Sequence, residues 1–528
     1  MTQQRLNSYI RSPWVLATIL FCAALAVRLY HLEFQSLWND EAFSLDIVQQ
    51  PFTAIQSVLI EKYHHPPLFF YCAYVSIYFF GAMAWALRLP SVIFGALTVG
   101  LVFFVANRFI NRTAGVIAGI FCLISPFHIA YSQEGRPYAL AAFLALGSCY
   151  LFLLVLQQPK HVRQIFYIIT SAALLYTHHW GLFVIASQGL VVLLLKRSFR
   201  KKFSLITLFL AVGLFYLPEF FALQKQIAGS QGIQWFWSES PSFKELYHLT
   251  TAFSGTYFNL ASSIFALPLY VQIIGSVSSL VVIGISTALL IRRMENNDIR
   301  ILSVCSFGTL LIPFIISFVR PEIFLWYRYT VIVFPMLSVV LAGFLGYRDI
   351  GLVKKGILII ASGILIATGI FGDARYASWQ KSNAKDVADY VDAVTLSGVS
   401  MIIRPKTFAP LLNYYYKGNA VQYDEAYLET PLGEIVDTAS AFVYVSLDVP
   451  NIIRDYMNGH FIKSEERYFP GQSHMGIIVG VYRQPPDDDG VKDESKVFAL
   501  AAIPDARYRL SKSLYDIHRC SSSIVFFR

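Results

Sequence analysis

Two adjacent carboxylates, Asp40 and Glu41, stand beside Trp38 in the stretch SLWNDEAFSLD, residues 36–46. Neighbouring side chains on a helix point in different directions, so one acid can take a proton from a reacting group while the other holds structure. Partial burial raises a carboxylate's pKa toward that of a useful general base. The same pair could instead cap the helix that begins near Ala42. In YHHPPLFF, 63–70, His65 precedes Pro66 and Pro67, which force an extended approach and then start a helix. His65 is either an incidental part of that turn or a donor to a phosphate, and two adjacent histidines alone make a poor metal signature. In YSQEGRPYAL, 131–140, Glu134 and Arg136 either pair with each other or complete a polar site with Asp40. Arg136 would then hold an oxyanion, and Glu134 a sugar hydroxyl or an ion. Arg328, in FLWYRYTVIVFP, 324–335, either snorkels among aromatics or clamps a phosphate with two parallel donors. Tyr138 and Tyr327 lie beside the two arginines as substrate-binding candidates, and THHW, 177–180, reads as an interface turn.

The elements that must position these residues are written in the composition. Of 528 residues, 56% are hydrophobic and only 14% charged, against roughly 25% charged in a soluble protein. The deficit falls in repeated apolar blocks before residue 373, which is the pattern of a polytopic α-helical membrane protein. Eleven spans are expected, near 13–30, 88–106, 113–130, 138–156, 165–177, 181–195, 203–218, 263–291, 300–318, 325–346 and 355–372. The first lacks a small-residue cleavage site and reads as a retained helix. Seventeen lysines and arginines cluster on every second loop, from Arg5 and Arg11 to Arg348, Lys354 and Lys355, which assigns those loops to the cytoplasm. The net charge of +9 is accounted for in this way and calls for no nucleic acid. The block at 67–85 would invert every later loop if it crossed, so it is expected to lie in the interface or dip in from outside. The loop 219–262 is expected to be long and outward, able to close over a substrate.

No unusual polar group is expected within a spanning helix, which weighs against a transporter or flippase. Beyond 373, KSNAKDVADYVDAV has helical spacing, and VSMIIRP, AFVYVSL and MGIIVGVYR read as short strands. The organisation is therefore a membrane domain at 1–372, a small α/β domain at 373–484, and a linker and tail at 485–528. Six cysteines show no disulfide framework.

LWNDEAFS, HHPPLFFY, ALRLPSVIFGALTV, SPFHIAYSQEGRPYAL and YRYTVIVFPML, in that order over residues 14–345, resemble bacterial members of glycosyltransferase family thirty-nine. That group is related to protein O-mannosyltransferases and lipid A aminoarabinose transferases. The resemblance implies a GT-C fold and a polyprenyl-phosphate-linked sugar donor in the bacterial inner membrane. It also implies transfer on the extracytoplasmic face to a lipid, glycan or protein acceptor. By position, Asp40 matches the family's catalytic acid and Glu41 its neighbour. Glu134 and Arg136 match the second outer loop, and Arg328 an arginine near the donor phosphate. His65 stands where some relatives have lysine. No cofactor is firmly implied, and a divalent metal is left open. An inverting transfer needs one base and cations for the departing phosphate, which this inventory holds. The rival enzymatic reading is a polymerase or ligase using a whole lipid-linked glycan.

The loop parity places the region after 373 outside the cytoplasm. A cysteine introduced at 487–490 should react with an impermeant maleimide in intact spheroplasts. Labelling only after lysis would overturn the topology.

Overall fold

The structure is a computed structural model that describes residues 12–63, 65–195, 198–229, 242–260, 263–292, 297–320, 323–324, 328–346, 351–394, 400–404, 409–416, 421–423, 441–447, 462–469 and 477–483. The chain divides into two compact units. One comprises Met1–Gln35, Ser44–Leu260 and Ile264–Trp379, and the other Ser36–Phe43, Ala261–Ser263 and Gln380–Arg528.

The first unit is helical. In chain order it holds α1 (Pro13–Leu29), the second half of α2 (Asn39–Val48), α3 (Leu68–Phe80), α4 (Ala84–Phe109), α5 (Arg112–Leu123), α6 (Pro126–Ser132), α7 (Tyr138–Gln157), α8 (His161–Leu175) and α9 (Gly181–Leu194). Then follow α10 (Phe199–Gly229), α11 (Phe243–Phe253), the short strands β1 (Tyr257–Leu260) and β2 (Ser263–Ala266), α12 (Leu269–Arg292), α13 (Asn297–Ile316), α14 (Phe334–Leu341) and α15 (Leu352–Tyr376). Among the described residues six helices are long and apolar enough to cross a membrane, or seven if the bent pair α5–α6 is one span. Shorter apolar helices include α1, α3, α9 and Phe52–Glu61. At 13 residues α3 reaches about 20 Å, short of a ~30 Å hydrocarbon core. Its exposed Tyr78 and Phe79 suit an interface.

α4 is the centre of this unit, packing against α1, α3, α5 and α7. Small residues set the spacing. A Cβ on Gly115 of α5 would lie 2.9 Å from the Phe103 carbonyl oxygen of α4, so only glycine permits that approach.

Three expected segments differ in form. The segment 113–130 is not straight: α5 and α6 meet at 63°. Pro126 has no N–H to continue the ladder, and Ser125 caps the new helix by accepting from His128 N–H at 3.2 Å. The span placed at 263–291 begins at Leu269, because residues 263–266 form β2. The span placed at 325–346 is, in its described part, a 3-10 turn at Tyr329–Ile332, then α14, then a 3-10 turn at Ala342–Gly346. The loop 219–262 is also corrected. α10 runs through Pro218 to Gly229, and α11 and β1 fill its later part. QWFWSES and the tail 485–528 lie outside the described residues.

Two buried arginines stitch the first unit together. Arg28 of α1 donates to the carbonyls of Ala24 (3.2 Å) and Cys122 (3.3 Å), to Ser132 Oγ (3.2 Å), and lies 2.8 Å from His128 Nδ1. It thereby fixes the bend between α5 and α6. Arg88 of α4 donates to the carbonyls of Leu32 (2.6 Å) and Gln35 (2.9 Å), pinning the segment that leads out of α1.

The second unit is built on a mixed sheet of β3 (Ser400–Arg404), β4 (Val421–Tyr423), β5 (Ala441–Leu447), β6 (Ile462–Phe469) and β7 (Ile477–Arg483), in the order β4-β3-β5-β7-β6. β3 is parallel to β4 and β5, while β7 is antiparallel to β5 and β6. The helix α16 (Ala384–Val394) buries Ala384, Val387, Ala388 and Val391, one face at helical spacing, and packs against β7 and α17 (Ala409–Tyr415).

Arg88→Met keeps the length of the side chain but leaves the Leu32 and Gln35 carbonyls without these charged donors. Stability should fall by about 2–4 kcal/mol, read as a lower Tm of the detergent-solubilised protein. An unchanged Tm would mean that Arg88 holds nothing.

Candidate active site

In the first unit, Arg136 joins three segments that are far apart in sequence. Its Nη1 donates to Ser44 Oγ at 3.2 Å, and its Nη2 lies 2.7 Å from His65 Nε2. The arginine is buried in the 133–137 turn between α6 and α7. That turn is held by Arg136 N–H donating to Glu134 O (2.8 Å) and by Ser91 Oγ donating to Arg136 O (3.1 Å). Gly135 lies so close to α4 that a Cβ there would stand 2.5 Å from Leu87 Cγ. Glu134 is buried in the same turn, and Tyr138 is buried at the start of α7.

Arginine cannot accept a hydrogen bond, so His65 Nε2 is the lone-pair nitrogen and Nδ1 carries the proton. Burial, and then the charges of Arg136, His178, His179 and Arg328, hold the His65 imidazole well below the ordinary histidine value. His65 is therefore neutral. The contribution from Arg328 brings that residue into the same electrostatic neighbourhood. His178 closes the group. Its ring stands 6.4 Å from His65, 5.8 Å from Tyr138 and 5.0 Å from Tyr329, edge to face. His178 Nδ1 accepts from Trp180 N–H at 3.1 Å, so the proton sits on Nε2, which is buried with no hydrogen-bond partner in the protein. Two guanidiniums and an imidazole N–H in an aromatic wall can together receive an oxyanion. Of the residues singled out in the sequence, this unit brings together His65, Glu134, Arg136, Tyr138 and Arg328. Tyr327 lies outside the described residues.

Asp40 and Glu41 occupy the first turn of α2, where the helix dipole favours negative charge. Ser44 follows one turn further along the same helix. Within the second unit, Glu41 is fully buried and paired with Lys381 Nζ at 2.7 Å, itself buried. Leu37 N–H donates to Tyr415 Oη at 2.7 Å. Asp40 is half-buried.

Several of these residues had no expected role. THHW is part of the group and not only an interface turn, because Leu68 N–H at the start of α3 donates to Tyr176 O at 2.9 Å and draws the two turns together. Ser44 was visible only as one turn past Asp40. The expectation of no unusual polar group inside a spanning helix is corrected. Glu219 is buried within α10, where the continuation through Pro218 places it. The argument against a transporter from missing intramembrane charge therefore falls. Among the described residues no group of three or more His, Cys, Asp or Glu side chains is arranged to hold a metal.

Residues 64–220 match the family model described as dolichyl-phosphate-mannose-protein mannosyltransferase. The fold is similar to that of ArnT from Cupriavidus metallidurans bound to undecaprenyl phosphate, at 12% identity and TM-score 0.56, covering 88% of this chain and 98% of that one. It is also similar to the oligosaccharyltransferase of Archaeoglobus fulgidus in complex with zinc and sulfate, at 12% identity and TM-score 0.50, covering 88% of this chain and 73% of that one. A search of curated proteins finds no match. The family match thus covers residues 64–220, and the fold over most of the chain is one shared with these two membrane proteins.

Burial, then the charges of His179 and Arg136, lower the pKa of His178 to about 3. An unfolded chain takes up that proton near pH 6.5. The stability gained from a neutral His178 is complete above about pH 6.5 and is lost as pH falls toward 3, by up to about 1.4 kcal/mol per pH unit. His178→Asn retains an oxygen to accept from Trp180 N–H but cannot titrate. Between pH 7.5 and 5 its Tm should fall less steeply than the wild type's, and an equally steep fall would count against a buried neutral imidazole.

Proposed function

We propose that the protein transfers a sugar from a polyprenyl-phosphate-linked donor to a lipid, glycan or protein acceptor, with inversion, on the extracytoplasmic face of a bacterial inner membrane. The observation that carries this reading is the part-buried Arg136–His65 contact, with Arg328 and the His178 Nε2–H beside it. A cationic group that stays charged while its imidazole neighbours stay neutral is suited to a phosphate monoanion or dianion. The binding of undecaprenyl phosphate by a protein of similar fold supports the same donor class. The 17 clustered basic residues support the orientation.

In the proposed reaction the acceptor hydroxyl attacks the anomeric carbon and the bond from that carbon to the phosphate oxygen breaks. The phosphate leaves as polyprenyl phosphate, its charge held by Arg136 and Arg328. Asp40 takes the proton from the attacking hydroxyl. Glu41, buried against Lys381, holds the start of α2 and is a positioning residue. Glu134 and Tyr138 serve the sugar. The transporter reading is separated by the chemistry, since only an enzyme converts purified donor in detergent.

The test is turnover of undecaprenyl-phosphate-linked sugars by the purified protein, followed by mass spectrometry. Asp40→Asn should fold, bind donor and lose roughly a hundredfold or more in turnover. Arg328→Ala should weaken donor use by about 1.5–3 kcal/mol, with Arg328→Lys restoring only part. Near-normal turnover by a folded Asp40→Asn protein would remove Asp40 as the base. Unchanged donor use by Arg328→Ala would leave that arginine as an interface anchor.

A further inference from the structure

Helix α10 carries one buried stripe, Leu205, Leu208, Val212, Tyr216, Glu219, Ala222 and Gln226, at spacings of three and four residues. Its other faces expose Leu214, Phe215 and Phe221, as lipid contact requires. The later part of this inward stripe, from Tyr216 to Gln226, is thus largely polar, an arrangement that membrane proteins keep for use. Glu219 is 1% exposed and Gln226 2%. Each has one protein partner: Gln56 Nε2 donates to Glu219 Oε2 at 3.1 Å, and Gln226 Oε1 lies 3.2 Å from His179 Nε2. That leaves Glu219 Oε1, Gln226 Nε2 and Tyr216 Oη buried without a hydrogen-bond partner in the protein. Buried polar atoms are rarely left so, and three on one helix stripe mark a place that something polar fills.

The chemistry of the three atoms identifies the class of ligand. A carboxylate oxygen accepts, an amide nitrogen donates twice, and a phenol hydroxyl does both. A metal ion would call for more carboxylates, and a lipid tail for none of the three. Hydroxyls of a sugar ring use all of them. About 10 Å of helix separates Glu219 from Gln226, with only the methyl of Ala222 between, and long side chains can close that span around a ring. The stripe also starts where the phosphate-receiving group ends. Gln226 meets His179, whose neighbour His178 faces His65 and through it Arg136. We propose that Tyr216, Glu219 and Gln226 form the subsite for the hydroxyls of the donor's sugar. This rests on the polyprenyl-phosphate-sugar reading given above.

The purified protein is titrated with undecaprenyl phosphate, undecaprenyl-phosphate glucose and undecaprenyl-phosphate mannose, with bound lipid read by native mass spectrometry. The wild type should hold at least one sugar lipid about tenfold more tightly than the bare lipid. Glu219→Gln and Gln226→Ala should each remove most of that preference, roughly five- to tenfold, and leave bare-lipid affinity within about twofold. Tyr216→Phe, which removes a single oxygen, should show a smaller loss of the same kind. The unchanged bare-lipid affinity reports that each variant is folded. Variants that keep the wild-type preference, or lose bare and sugar lipid equally, would overturn the subsite, as would a wild type that prefers neither sugar lipid. A wild type that binds none of the three lipids would overturn the donor reading itself, and the subsite with it.

Discussion

The contact between Arg136 and His65 is the constraint on which the helical unit is arranged. A guanidinium donates only, so it dictates which imidazole nitrogen is bare, while burial, and then its charge, keeps that imidazole from taking a proton. One arginine settles a tautomer and the meeting of three distant segments. Much of the surrounding packing serves it. The missing Cβ of Gly135 lets the turn press on Leu87, Ser91 Oγ donates to the Arg136 carbonyl, and the break at Pro126 aims the chain toward the turn.

Around that contact, the same economy governs the other buried arginines. In an apolar interior a loose carbonyl is costly, and so is a lone guanidinium. Arg28 and Arg88 solve both by donating to backbone oxygens at places where a helix has ended or bent. Positive charge is therefore spent on holding irregular backbone, and the irregular backbone is what carries the polar side chains of the site.

What the sequence discloses follows from how local its causes are. The α16 periodicity and the strands β3, β5 and β7 are readable because one residue type repeats at one period. The motifs around His65, Arg136 and Arg328 are readable because basic residues stand out in apolar surroundings. Proline was the less faithful guide. Pro126 breaks a helix where its neighbour Ser125 can cap the next one, whereas Pro218 leaves α10 unbroken, so that Glu219 falls in a helix and not in a loop. The partners of Glu41 and Arg136 depend on segments tens to hundreds of residues away, and no periodicity carries that information. His178 was in plain view, but its significance lies in the turn that brings it beside His65.

The ion pair between Glu41 and Lys381 spans 340 positions, from 41 to 381. A ribosome adding about 5–20 residues per second needs roughly 20–70 s to cover that distance. During that interval α3 to α15 can be made and inserted while Glu41 still lacks its ammonium. The start of α2 thus acquires its final electrostatic surroundings only when synthesis has passed every membrane helix described here. A chain that stops early carries the arginines and histidines of the helical unit but not the lysine that secures the acidic turn. Synthesis past residue 381 is in this sense the licensing step for the acidic turn.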